Sequence, residues 1–425
     1  MLFMSVRGPF NSRIVEYGRR KLLIVGYEGF YAREDNESIL LASYDITDDK
    51  LNPKSIIYSP QGGASTNGIA SQDISRPYIA VSTYNATNPI PGIPPAFLPQ
   101  TFSIELYKYN EEGNIQHVTT FDMADLVPDI YRSTVAYNGI AGLSSDSKYI
   151  IITWATSDLK EQWLGFLSVS DDLQSLTLEA KVKCAPTNKD NTIGFPQGAN
   201  MWKRDKHTYA IVSQENSWSL ALPRGNTAQV VYYEYNVKRK TVEMKSQAWV
   251  PQYIEGYDVD ICNERIYVAL NKAEIDSSIE IIPRPPFDNP APEKESNLRV
   301  YQLCKDKLVY VGGEELHADA LQVKVSNDGS TLALVTSPTY FNYTFIPPDG
   351  VSALSSAGRW FTPSTLQLFD VNRHGRLSLF GQSVASPLSF GVAFNKDILA
   401  INGVPTYSNT LDITSGQKDS QLYRI

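Results

Sequence analysis

The sequence predicts an all-β protein, and three observations carry that prediction. Its 425 residues hold 25 Tyr, 25 Pro and 26 Gly against only 5 Met and 4 His, a balance weighted towards strand formers and turn formers. Apolar residues alternate with period two over short runs, the spacing of half-buried strands. Between those runs stand clusters of Asp, Asn, Gly, Ser and Lys, and no stretch between them carries a helical period. Hydrophobic residues at 42% and charged residues at 20% are near the globular average, so the chain can bury a large core.

Taken in order, one pattern recurs: an apolar strand, a polar turn, a second apolar strand. It runs from Ile69–Ser71 into Tyr78–Val81, and from Ile140–Leu143 through Ser144–Lys148 into Tyr149–Ile152. Asp258–Ile261 turns at Asn263-Glu264 into Ile266–Ala269, and Val323–Val325 turns at Ser326–Gly329 into Leu332–Val335. Val392–Phe394 turns at Asn395–Asp397 into Ile398–Ile401. After a longer connection each unit closes with an alternating hairpin. Its turns fall at Asn110–Asn114, Ser170–Asp172, Lys238–Lys240, Cys304–Lys307 and Asn372–Arg376.

Four strands in every roughly 55–70 residues, repeated along the chain, is the pattern of propeller blades. The prediction is one β-propeller domain over residues 1–425 with seven four-stranded blades. The blades fall near 11–61, 67–121, 138–184, 197–250, 255–313, 319–384 and 389–425. The last unit shows three strands, and Leu2–Val6 is expected to supply its fourth, joining the N-terminal strand to the C-terminal blade and removing an open sheet edge.

The blade segments Ser-Asn-Asp-Gly-Ser-Thr-Leu-Ala-Leu-Val at 326–335 and Leu-Gln-Leu-Phe-Asp-Val-Asn-Arg-His-Gly-Arg-Leu at 366–377 resemble those of the lactonase-like seven-bladed propellers, the group of 6-phosphogluconolactonase and the YVTN repeats. Neither the WD and Gly-His signature of WD40 blades nor the Kelch diglycine pattern occurs. The resemblance implies the fold and, through gluconolactonase-type propellers, a catalytic cation at the channel mouth.

The net charge of −8 and the lack of a basic run argue against a nucleic-acid partner. No apolar stretch approaches the roughly 18 residues of a membrane-spanning helix. Met1–Phe10 lacks the basic start, long apolar segment and cleavage site of a signal peptide, so the expected compartment is the cytoplasm, or the exterior with the signal removed. Cys184, Cys262 and Cys304 are too scattered for a disulfide framework or a zinc site. They read as reduced thiols, with Cys262 and Cys304 the one pair placed to bridge. Asn-x-Ser/Thr sequons stand at Asn36, Asn85 and Asn342, all in predicted loops.

The second-to-third loops of the units are long: 27–38, 84–101, 214–229, 271–297, 337–365 and 403–420. They share one face of a propeller, and loops of this length usually carry function. Phe97, Trp218, Arg224, Tyr340, Trp360 and Phe361 are the candidate walls of a lidded pocket there. The proline-rich 271–297 segment is expected to run extended over the surface. A polar residue followed by a small one recurs near the start of the inner strands, at Asn11, Asn67, Asn138, Gln197 and Glu255. Asn67, Asn138, Gln197 and Glu255 are candidate Ca²⁺ ligands. The other reading makes these pairs tight inter-blade turns with positive φ. Glu255, His317, Asp319 and Arg359 are the candidate acid–base and polar groups. No Gly-x-Ser-x-Gly elbow, His-Glu-x-x-His, phosphate loop or dinucleotide fingerprint occurs.

The expected function is binding of a small organic molecule over the loop face, with lactone opening, isomerisation or cyclisation needing no cofactor beyond an assisting Ca²⁺. The alternative is a non-catalytic scaffold that binds a protein or glycan through the same loops.

Overall fold

The structure is a computed structural model that describes residues 7–29, 39–58, 63–71, 73–86, 100–128, 130, 139–156, 161–184, 194–204, 207–216, 227–251, 255–262, 264–271, 297–316, 319–337, 364–385, 391–395, 398–402 and 420–425. The first blade contains β1 (Arg7–Tyr17), β2 (Arg20–Gly29), β3 (Ile39–Asp45) and β4 (Asn52–Tyr58). The second contains β5 (Gly63–Ala70), β6 (Tyr78–Ala86), β7 (Gln100–Tyr109) and β8 (Ile115–Asp122), and a single helical turn, α1 (Met123–Leu126), follows it. The third contains β9 (Gly139–Leu143), β10 (Tyr149–Ala155), β11 (Gln162–Val169) and β12 (Leu176–Lys183). The fourth contains β13 (Gly194–Arg204), β14 (His207–Asn216), β15 (Thr227–Asn236) and β16 (Thr241–Pro251). The fifth contains β17 (Glu255–Cys262), β18 (Arg265–Asn271), β19 (Leu298–Cys304) and β20 (Lys307–Glu314). The sixth contains β21 (Asp319–Val325), β22 (Thr331–Ser337), β23 (Ser364–Val371) and β24 (Leu377–Ala385). A last sheet contains β25 (Gly391–Asn395), β26 (Ile398–Asn402) and β27 (Ser420–Arg424).

Within each sheet the strands pair in chain order and antiparallel. The described residues therefore make six four-stranded blades, where the sequence predicts seven; the final sheet has three strands. Its expected fourth strand, Leu2–Val6, lies outside the described residues. The core sits between sheets. One apolar cluster joins the second and third blades around Tyr78, Ile104, Ile152 and Trp154, and comparable clusters join the other neighbours in turn. A further cluster packs Ala393, Ile398 and Ala400 of the last sheet on Leu23, Val25 and Ala42 of the first blade, which closes the ring. None of the described helices is long and apolar enough to cross a membrane.

Two expectations are corrected here. The polar–small pairs Asn11-Ser12, Asn67-Gly68, Gln197-Gly198 and Glu255-Gly256 are not inter-blade turns, because they lie inside β1, β5, β13 and β17. Gly68 does not have a positive φ; what recurs at these places is a β-bulge, which inserts one unpaired residue into the inner strand. Asn85 is in β6, paired with Gly63 and Thr101, not in a loop. Here the strand outlasts its apolar alternation, so the pattern understates its length. Cys184, Cys262 and Cys304 are all free thiols, in line with their reading as reduced, and Cys262 and Cys304 do not bridge.

The first-to-second turns explain their own composition. Ser144 Oγ donates to Asp146 Oδ1 (2.8 Å) and accepts from the backbone N–H of Lys148 (3.0 Å) and Tyr149 (2.9 Å). Ser326 repeats this, donating to Asp328 Oδ1 (2.7 Å) and accepting from Thr331 N–H (3.0 Å). The Ser-x-Asp spacing thus replaces backbone partners that the turn leaves without one. An arginine at the start of the second strand then reaches the outer hairpin of the next blade. Arg76 donates to the carbonyls of Ser147 (3.3 Å), Val169 (2.7 Å) and Ser170 (3.2 Å) and pairs with Asp171. Arg265 donates to the carbonyls of Asn372 (3.4 Å) and Arg373 (2.9 Å), and Arg20 to that of Glu111 (3.5 Å).

The hydroxyl of Ser326 and the N–H and hydroxyl of Ser330 hold the Asp328 carboxyl down to about 2. A depressed carboxylate stabilises the fold above its unfolded value of about 4 and loses that contribution as pH falls through its folded value. The turn is therefore expected to weaken between about pH 4 and pH 2. Carbonyl-carbon NMR titration checks this: Ser326→Ala should return Asp328 towards the ordinary aspartate range, and an unchanged midpoint would contradict the assignment.

Candidate functional site in the central channel

The inner strands β1, β5, β9, β13, β17 and β21 each carry a bulge, at Phe10, Thr66, Ala141, Gln197, Tyr257 and Leu321. Register counted from the bulge aligns the blades. Three residues beyond it stand Arg13, Ile69, Ser144, Asn200, Asp260 and Lys324. Five of these six are polar, four of them in the inner strands and Ser144 just past the end of β9. All five border a cavity of about 210 Å³ at the turn-face end of the channel, together with Trp202, Cys262, Asn327 and Phe394 among others.

Asp260 organises this end. Its Oδ1 accepts from Asn200 Nδ2 (2.9 Å) and from its own neighbour Ile261 N–H (3.0 Å), and its Oδ2 accepts from Val325 N–H (2.9 Å). One side chain thereby links the inner strands of the fourth, fifth and sixth blades. Asp260 and Lys324 are each only 8% exposed, and a charge buried this far needs charged or hydrogen-bonding partners. Cys262, whose Sγ donates to the Asn327 carbonyl (3.5 Å), has its thiol pushed up by burial, with the nearby Asp260 and Asp328 adding to the shift. It is therefore a weak nucleophile.

The sequence-derived candidates are placed differently. Glu255 begins β17 opposite Asn271, and Asp319 begins β21 opposite Ser337, both at the loop-face end of their strands. Asn67 follows its bulge by one residue, Gln197 is itself the bulge and Glu255 precedes its bulge by two. The three are thus out of register with one another. Asn138, His317 and Arg359 lie outside the described residues, as do Phe97, Trp218, Arg224, Tyr340, Trp360 and Phe361. Among the described residues no group of three or more His, Cys, Asp or Glu side chains is arranged to hold a metal ion. Arg13, Asn200, Asp260 and Lys324 were not singled out by the sequence. Their signal is a polar residue at the same distance beyond the bulge in successive inner strands.

No family model matches the chain, and no curated protein does. The expected resemblance to lactonase-like propellers therefore finds no support at the level of family. Among solved structures, a chain of the crystal structure of the mitotic checkpoint complex aligns at a TM-score of 0.51 with 7% identity, over 99% of this chain and 91% of that one. The structure of the Dos1 propeller aligns at 0.45 with 10% identity, over 98% and 92%. A prolyl endopeptidase structure aligns at 0.44 with 12% identity, over 98% of this chain and 50% of that one. Likeness at such identity is one of fold, and a propeller fold hosts many functions.

Proposed function

We propose that the chain is a non-catalytic propeller that binds a protein partner along its rim. The observation that carries this is the outer edge of two neighbouring blades. In β20, Val309, Tyr310 and Val311 are exposed in succession; in β24, Leu379 is 51%, Phe380 48% and Val384 67% exposed. Proteins normally guard such edges with charge. Here β12 exposes Lys181 and Lys183, and β16 exposes Glu243 beside Met244. Apolar side chains along an edge strand favour an extended peptide strand over a glycan.

The test is site-specific photocrosslinking in the native lysate with benzoylphenylalanine at position 380, and at position 181 as control. The expected result is a discrete protein adduct at 380 only, abolished by Val309→Glu with Val384→Glu while the melting temperature holds. Equal adducts at both positions, or adducts indifferent to those substitutions, would overturn it.

The second reading is small-molecule turnover beneath a lid on the loop face, with Glu255, His317, Asp319 and Arg359 as its polar groups and the loop aromatics as walls. Glu255 and Asp319 begin β17 and β21 at that face, which is what favours placing it there. Native mass spectrometry of the purified protein tests it: a retained small molecule displaced by a lactone would favour it, and a bare protein inert towards lactones would sink it.

A further inference from the structure

We propose that the turn-face end of the channel binds a small oxyanion, a phosphate or short carboxylate, between Arg13 and Lys324. This site is independent of the rim. The cavity is lined by two cationic side chains, Arg13 and Lys324, and one carboxylate, Asp260. Asp260 is already held by three N–H donors, from Asn200, Ile261 and Val325. Counting one negative against two positive charges leaves a net charge of +1 on the lining. Arg13 and Lys324 both interact with other groups of the protein as well, so the preference for an anion comes from this net charge and not from an unfilled hydrogen bond.

Size and chemistry narrow the ligand. At about 210 Å³ the space falls below the roughly 300–1,000 Å³ of drug-sized pockets, yet exceeds one water several times over. A guanidinium presents a planar fork that matches an oxyanion, and an ammonium adds a point charge. Ile14, Ala70, Leu143 and Ala393 also line the cavity and lower the local polarity, which strengthens charge pairing relative to open solvent.

The probes are inorganic phosphate and malonate, titrated separately into the full chain by calorimetry at low ionic strength. Saturable binding of phosphate alone indicates a site for free phosphate or a phosphoryl group. Saturable binding of malonate indicates one for carboxylates. In either case Arg13→Met and Lys324→Met should each weaken binding about tenfold or more, the loss expected for one charged hydrogen bond. Arg13→Lys and Lys324→Arg should retain most of it, which separates loss of charge from loss of fold. If neither probe binds a cooperatively folding protein, or if both Met variants bind as well as the parent, the proposal is wrong and the lining is neutralised from within.

Discussion

Gly26→Ala is expected to cost about 3 kcal/mol of stability, the upper end of what overpacking by one methyl usually does. A Cβ on Gly26 would stand 2.0 Å from the carbonyl oxygen of Gly68 and 2.6 Å from its carbonyl carbon. Both are backbone atoms of the neighbouring blade's inner strand, so no rotamer change relieves the clash. The first and second blades would have to part along β2 and β5. Gly68 is nearly as confined, its own Cβ position lying 3.0 Å from Leu41 Cδ2 and 3.2 Å from Gly26 Cα. The same device recurs at Gly142, where a Cβ would lie 2.4 Å from the Ala199 carbonyl oxygen of the fourth blade. Gly312 is the control: nothing lies within 4 Å of its Cβ position, and Gly312→Ala should change stability by no more than about 0.5 kcal/mol. Equilibrium urea unfolding of the two variants decides. Similar midpoints would show that the blades are not packed backbone to backbone.

That close approach was not legible in the sequence, where Gly26 ends an apolar run and Gly68 follows a polar residue. Periodicity reports which face of a strand is buried, not what the other sheet brings against it. The strands themselves were legible because both cues are local. Alternation marks β7, β11 and β23, and Ser-x-Asp marks the turns that precede β10 and β22. The long loops were also bracketed closely: the segment expected at 337–365 is flanked by β22 ending at Ser337 and β23 beginning at Ser364.

The site was less legible, for a reason of register. Aligning strands by a shared polar–small pair brought Asn67, Gln197 and Glu255 into one column. Pairing displaces them, because a bulge shifts the count by one and a one-residue slip moves a side chain to the other face. Counting from the bulge instead assembles Arg13, Asn200, Asp260 and Lys324. The rim was invisible for a different reason. Val309-Tyr310-Val311 and Leu379-Phe380 have the composition of buried strands, and only their place as the outermost strands of closed blades exposes them.

Asp260→Ala is expected to cost about 3–5 kcal/mol, the range for removing one partner from a buried charged network. The substitution strips the acceptor from Asn200 Nδ2, Ile261 N–H and Val325 N–H at once. Buried donors left without a partner are penalised by the full cost of their desolvation, about 1–3 kcal/mol each. It also leaves Arg13 and Lys324 facing one cavity with no carboxylate between them. Asp260→Asn keeps the shape but turns one acceptor into a donor that must meet one of the same N–H groups, so its loss should be intermediate. Asn200→Ala removes a single hydrogen bond and should cost only about 1 kcal/mol. The double variant separates a network from three unrelated contacts. In a network, removing Asp260 already forfeits the Asn200 bond, so the two losses should fall short of additive by about 0.5 kcal/mol or more. Urea unfolding of the three variants measures this. If Asp260→Ala were no worse than Asn200→Ala, the carboxylate would not be what ties the fourth, fifth and sixth blades together at the channel.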